Sequence, residues 1–194
     1  VRYLKENNIR YRTLSPTEIP RFIDAATALQ TPAADSILLA LYTGMRIGEV
    51  CTLKWEYWHP DMHQLILPDT KSGHPFTCPL APPAIAVVQW QQDLMLSKTY
   101  IFPQLTDNAR PLAYPRATFA RICRDANIDN LRMHDLRRTF ATRVLQATGD
   151  IAIASNLLNH HSLTATRRYA FHNAATSHAV VSQVIESYDT KMNL

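Results

Sequence analysis

Apolar residues recur at helical spacing along most of the chain, and one central stretch breaks that rhythm. Ser15-Pro16-Thr17-Glu18 places Ser at the cap, Pro at the first helical position and Glu three residues after the cap. That arrangement satisfies two orphan N–H groups reciprocally and predicts a helix running to about Gln30. A second helix is expected over residues 33–42, rich in Leu and Ala, with Gly44 placed to stop it. A short helix begins near Arg46 and carries Ile47, Val50 and Leu53 on one side. Between Trp55 and Leu80 the pattern changes to short runs, Leu65-Ile66-Leu67 and Phe76-Thr77-Cys78-Pro79-Leu80. The polar link 69–74 contains Gly73 and supports a hairpin, to which residues 55–58 are expected to add a third strand. Pro82-Pro83 reopens a helix running to about Leu96, and further helices are expected at 115–126, 134–148, 151–158 and 174–188. The chain reads as mainly α with a small antiparallel β-sheet and no internal repeat.

Composition narrows this picture. With 194 residues, 46% of them hydrophobic, the chain can bury a substantial core as one domain. Charged residues make up 19% and no low-complexity block occurs, which argues against disorder. A net charge of +4 is compatible with a nucleic-acid partner and does not establish one. Cys51, Cys78 and Cys123 are far apart, without a C-x-x-C pair, so neither a zinc site nor a disulfide framework is indicated, and reduced thiols are expected. No run approaches the roughly 18 apolar residues that a membrane crossing needs. Residues 1–14 are polar and basic, read as the end of an interdomain linker, and begin with Val1 rather than Met, as expected of a fragment or trimmed product.

Charge is most lopsided over 110–143, where Arg110, Arg116, Arg121, Arg124, Arg132, Arg137, Arg138 and Arg143 face Asp125, Asp129 and Asp135. Planar guanidinium forks suit phosphate oxygens, although any one of these arginines equally suits a solvated helix face. In His134-Asp135-Leu136-Arg137 the i,i+3 spacing aims His134 and Arg137 at one target. A phosphate fits, with Arg137 as clamp and His134 as proton relay; a helix-start histidine and a surface arginine fit too. Thr43-Gly44-Met45-Arg46-Ile47-Gly48-Glu49 sets a guanidinium beside a glycine turn at a helix start, with Glu49 in reach to orient Arg46 or simply to pair with it. Lys71 lies in the hairpin link, where a mobile general acid and a solvated turn lysine are both open. Asn159-His160-His161-Ser162 ends a helical stretch, and Arg167-Arg168-Tyr169 follows. The paired histidines lack an Asp, Glu or Cys at ligand spacing, so no metal is expected there.

Taken together, these motifs resemble the tyrosine recombinase (phage integrase) family in order and spacing. The family's sequence of Arg, hairpin Lys, His-x-x-Arg, His or Trp, and nucleophilic Tyr is met by Arg46, Lys71, His134 with Arg137, His160 and Tyr169. The eight residues between His160 and Tyr169 match the family's H-x8-Y stretch and select His160 over His161. Asn159 stands where the family usually has Gly; Asn tolerates left-handed backbone well, so a helix stop is expected to survive. The resemblance spans roughly Ser15 to Phe171. It implies the family's DNA breaking-rejoining catalytic-domain fold over 15–173, with 174–194 as a C-terminal helix and subunit-exchange segment carrying Val180, Val181, Val184, Ile185 and Tyr188 on one face. It also implies the chemistry: Tyr169 attacks a DNA phosphodiester, Arg46, Arg137 and His160 stabilise the phosphoryl oxygens, His134 manages the tyrosine proton, and Lys71 protonates the leaving 5′ oxygen. Neither metal nor nucleotide cofactor is implied. The implied partner is double-stranded DNA containing a recombination site, engaged in the bacterial cytoplasm by a multimer, a tetramer, with accessory DNA-bending proteins and no membrane. The rival readings are a type IB topoisomerase, a non-enzymatic DNA-binding module and a metal-dependent nuclease.

Overall fold

The computed structural model describes residues 11–68 and 75–159. Helix α1 (Glu18–Thr27) opens on the expected reciprocal cap: the Glu18 N–H donates to Ser15 Oγ (3.2 Å) and the Ser15 N–H donates to Glu18 Oε2 (2.8 Å). Regular helix starts at Glu18, two residues later than Pro16, and ends at Thr27 rather than Gln30. The last turn tightens through Leu29 N–H to Ala26 O and Gln30 N–H to Thr27 O, and Gln30 takes a left-handed φ of 47°.

Helix α2 (Pro32–Thr43) is the hub. Ten of its twelve residues are buried, as an apolar surface on every side demands. Thr31 Oγ1 caps it by accepting from the Ala34 N–H, and Pro32 sits where a missing N–H costs nothing. Gly44, at φ 68°, stops it as expected. One side, Leu39 and Ala40, joins a core with α3 (Ile47–Cys51), the sheet and α4 (Pro82–Leu94). The other, through Ile37, Leu38 and Leu41, packs on α1, α5 (Arg116–Asp125) and α6 (Met133–Thr148). A smaller cluster, Ala141, Leu145, Ala154 and Leu158, docks α7 (Ile151–Leu157) on the second half of α6.

Three strands, β1 (Trp58–His59), β2 (Gln64–Leu67) and β3 (Phe76–Pro79), form one antiparallel sheet in chain order. Trp58 pairs with Leu65, Leu65 with Cys78 and Leu67 with Phe76, so these five side chains share the buried face. The third strand is shorter than the expected 55–58. Residues 55–57 form a 3-10 turn, because the chain just before them pairs elsewhere. Lys54 bridges to Tyr100, the Ile101 N–H donates to Leu53 O (2.9 Å), and both the main-chain and indole N–H groups of Trp55 go to the 97–99 segment. Helix α4 also stops early, at Leu94, where Met95 turns left-handed. Residues 1–10, the hairpin link 69–74 and the expected helix 174–188 lie outside the described residues.

Candidate active site

Arg46, His134 and Arg137, 91 residues apart at the extremes, line a single cleft of about 720 Å3. The turn after α2 delivers Arg46, and the first turn of α6 delivers the other two. Arg46 sits just outside α3, and Glu49 grips it twice: Oε1 pairs with Nη1 (2.9 Å) and Oε2 accepts the Arg46 backbone N–H (3.2 Å). With 38% of its side chain exposed, Arg46 presents a charge that is oriented but still reachable. The carboxylate at a helix N-terminus also complements the helix dipole.

Arg137 has a different setting. It is only 3% exposed. Its Nη1 donates to Gly44 O (2.8 Å) and its Nη2 to Leu158 O (2.5 Å). One planar cation therefore fastens three motif segments: the turn that carries Arg46, its own helix, and the end of α7 two residues before His160. Both carbonyls belong to helix C-termini, where unpaired acceptors and the negative dipole end favour a cation. The turn at Gly44 also has no room for a side chain, since a Cβ there would lie 2.4 Å from Phe140 Cδ1 and 2.9 Å from Leu158 Cδ2.

His134 sits beside this cation. Close packing and then the charges of Arg137 and Arg138 push its pKa below the ordinary imidazole value, with Arg46 adding to the effect and Asp135 opposing it. His134 is itself exposed and lines the cleft. A neutral imidazole among cations is suited to accepting a proton. Asp135 fixes the start of α6: its carboxylate accepts from the Arg132 N–H (2.9 Å) and pairs with Arg138 (2.6 Å). Leu67 lines the same cleft, so β2 brings the chain four residues short of Lys71 to its edge. Lys71, His160 and Tyr169 themselves lie outside the described residues. Asn159 adopts the left-handed φ of 50° that the helix stop before His160 calls for.

Sequence reading alone did not single out Lys54, Tyr57, Tyr100 and Tyr114, which also line the cleft. Lys54 lies over the Tyr57 ring (5.8 Å) and pairs with Glu56; Arg116 lies over the Tyr114 ring (5.5 Å). Only the proximity of Lys54 to the α3 motif could have signalled them. Of the arginine-rich stretch, Arg110, Arg121 and Arg124 are exposed with local Asp partners, whereas Arg138 is largely buried. Among the described residues no three His, Cys, Asp or Glu side chains converge as a metal site, and no helix is long and apolar enough to cross a membrane. The three cysteines are free thiols, with Cys51 and Cys78 pushed up to about 12 and Cys123 to about 11 by burial.

The sequence profile of the phage integrase family matches residues 12–176. The chain belongs to the phage integrase family. Relatives within it include tyrosine recombinase XerC of Xanthomonas campestris pv. campestris, 28% identical over 166 residues, covering 81% of this chain and 50% of the relative. The integrase of Salmonella phage P22 is 28% identical over 187 residues, covering 89% and 47%. This phage integrase family chain thus spans about half the length of the curated relatives it matches. Its fold is that of tyrosine recombinase catalytic domains: the crystal structure of XerA recombinase superposes with a TM-score of 0.75 at 25% identity, covering 93% of this chain and 66% of that one. XerH recombinase bound to a palindromic difH substrate, in a post-cleavage complex, superposes with a TM-score of 0.74 at 18% identity, covering 92% and 55%.

Proposed function

We propose that this chain is the catalytic part of a site-specific DNA recombinase, which cuts and rejoins strands through a 3′-phosphotyrosine at Tyr169. The observation that carries this reading is the convergence of Arg46, His134 and Arg137 on one cleft within the phage integrase family fold. Such a cleft suits an anionic phosphodiester, whose attack builds negative charge that preorganised guanidinium groups stabilise. Arg46 meets the phosphoryl oxygens from the exposed side. Arg137 holds the site together and contributes its charge from below, and His160 adds a donor. The Tyr169 oxygen bonds to phosphorus as the bond to the 5′ oxygen breaks; the tyrosine proton passes to His134 and Lys71 supplies one to the leaving oxygen. The phosphodiester is exchanged for a phosphotyrosyl ester of similar energy, so no nucleotide cofactor is consumed, and the 5′ hydroxyl of another strand reverses the step to complete exchange.

The partner is double-stranded DNA bearing a recombination site, bound by several protomers. Relatives support this: XerH is bound to its difH substrate, and a lambda integrase tetramer is bound to a Holliday junction. Residues 15–173 form the catalytic domain, 1–14 the linker before it, and 174–194 the segment that packs on a neighbouring subunit in the assembly. Accessory DNA-bending proteins and a nucleoid-associated place in the bacterial cytoplasm complete the reading.

The test is a nicked suicide substrate, in which the cleaved fragment diffuses away and traps the covalent intermediate. A denaturant-stable protein–DNA adduct with wild type, absent with Tyr169→Phe and unaffected by EDTA, is the expected result. No adduct with wild type on any site-bearing duplex would overturn the proposal. Relaxation of plasmids without site preference would favour the topoisomerase reading instead. Taken alone, this chain is expected to bind DNA weakly and to fail at full recombination; complete strand exchange by this chain alone would contradict that.

A further inference from the structure

We propose that Thr139 is a positioning residue for strand cleavage, acting through a hydrogen-bonded link that ties the chain leading into α1 to the catalytic turn of α6. The inference rests on the recombinase reading above and concerns a residue that lies outside the cleft. Thr139 is 2% exposed, and its hydroxyl has two partners. It accepts the backbone N–H of Leu14 (2.9 Å) and donates to the carbonyl of Asp135 one turn earlier (2.7 Å). Threonine hydroxyls within helices commonly bond the preceding turn, and that half of the arrangement is ordinary. The other half is not: the donor comes from 125 residues away, on a residue itself only 1% exposed.

A second tie grips the same segment on the other side of the catalytic turn. Arg12 Nη2 donates to Asp129 O (3.3 Å), ahead of α6, while the Arg12 guanidinium holds the Glu18 carboxylate at 2.5 and 2.7 Å. Residues 12–14 therefore touch the chain before His134 and again just after Arg137. The backbone between those two points carries both side chains into the cleft. Catalysis by positioned groups is sensitive to small errors, with displacements near 1 Å costing on the order of 100-fold. Valine would fill the volume of threonine, so packing alone does not account for the hydroxyl; what it supplies is the link.

Three proteins test this: wild type, Thr139→Val and Thr139→Ser. Single-turnover adduct formation on the nicked duplex, affinity for the same duplex, and the NMR titration of His134 are measured under conditions where each is folded. We expect Thr139→Val to slow adduct formation by roughly 10- to 100-fold with affinity unchanged and the His134 titration shifted, and Thr139→Ser to recover most of both. A valine variant that loses thermal stability but keeps the wild-type rate and His134 titration would overturn the proposal, leaving Thr139 as scaffold only. Should wild type form no adduct, the recombinase reading fails and the His134 titration decides this one alone: a shift in valine restored by serine supports it, no shift refutes it. If the valine variant does not fold, Arg12→Lys takes its place, since an ammonium keeps the charge beside Glu18 but cannot also span to Asp129 O. Unchanged rate and titration there count equally against the proposal.

Discussion

Replacing Gly44 by alanine separates two costs that the structure assigns to the turn between α2 and Arg46. The first is conformational: at φ 68° an alanine carries a left-handed penalty of about 1 kcal/mol. The second is steric. The new Cβ would lie 2.4 Å from Phe140 Cδ1 and 2.9 Å from Leu158 Cδ2, deep inside contact distance, and both neighbours are held by packed helices. Overpacking of that kind costs about 1–3 kcal/mol, for a total of about 2–4 kcal/mol. Gly149 is the internal control, because it has nearly the same φ of 67° and nothing within 4 Å of its Cβ position. Gly149→Ala should therefore show the first cost without the second. Gly48, inside α3 with open space around it, should gain about 0.5 kcal/mol as alanine from a stiffer unfolded chain. Denaturant unfolding of the four proteins is the assay, with the expected stability order Gly48→Ala, wild type, Gly149→Ala, Gly44→Ala. The steric cost falls on Phe140 and Leu158, which flank the Arg137 brace, so adduct formation should drop in Gly44→Ala alone of the two left-handed variants. A Gly44→Ala protein no less stable than Gly149→Ala would refute the reasoning.

Other outcomes follow from single groups. Arg137→Lys should destabilise the fold by about 2–4 kcal/mol and abolish detectable adduct, because one ammonium cannot replace a planar fork between two carbonyls; near-normal unfolding and cleavage would contradict the brace. Asp35, buried against α4 with Gln91 Nε2 donating to it at 2.5 Å, has its pKa pushed up by burial to about 6. A raised folded pKa gives stability that is complete below the unfolded value near 3.8 and lost as pH rises through about 6, by up to about 3 kcal/mol. Asp35→Asn should remove that dependence, and its amide can donate to Gln91 Oε1, which has no partner otherwise; a stability difference from wild type that is the same at pH 4 and pH 7 would refute this. Glu18 behaves oppositely: the hydrogen bonds from Arg12 hold its pKa down to about 2, so its contribution stands above pH 4.5 and fades as pH falls toward 2. Acid unfolding of Arg12→Gln should lack that component, and an unchanged acid profile would show the pair to be inert.

Much of the fold was legible because local chemistry and global packing agree. Ser15 and Glu18 announce a cap that forms, Gly44 announces a stop that forms, and the Leu- and Ala-rich run before it announces a helix that forms. Trp55 was misread because aromatic residues favour strands, whereas its pairing is decided by a segment 44 residues downstream that no local pattern reveals. The same limit applies at the site. Motif order pointed to Arg46, His134 and Arg137, which line one cleft, and Asn159 kept the backbone expected of it. The carbonyls that hold Arg137 lie 93 and 21 residues away, and the Leu14 N–H that holds Thr139 lies 125 away. Spacing rules cannot report bonds of that range. The assignments of Lys71, His160 and Tyr169 rest on the family resemblance.

Arg137 also bears on how such a protein can decay. A side chain that braces the fold and, under the proposed chemistry, also serves the reaction leaves little neutral ground between an active enzyme and a loosened one. A lineage that drifts away from strand cleavage while still gripping DNA should shed the exposed Arg46 early and keep Arg137 long after its chemical use has gone.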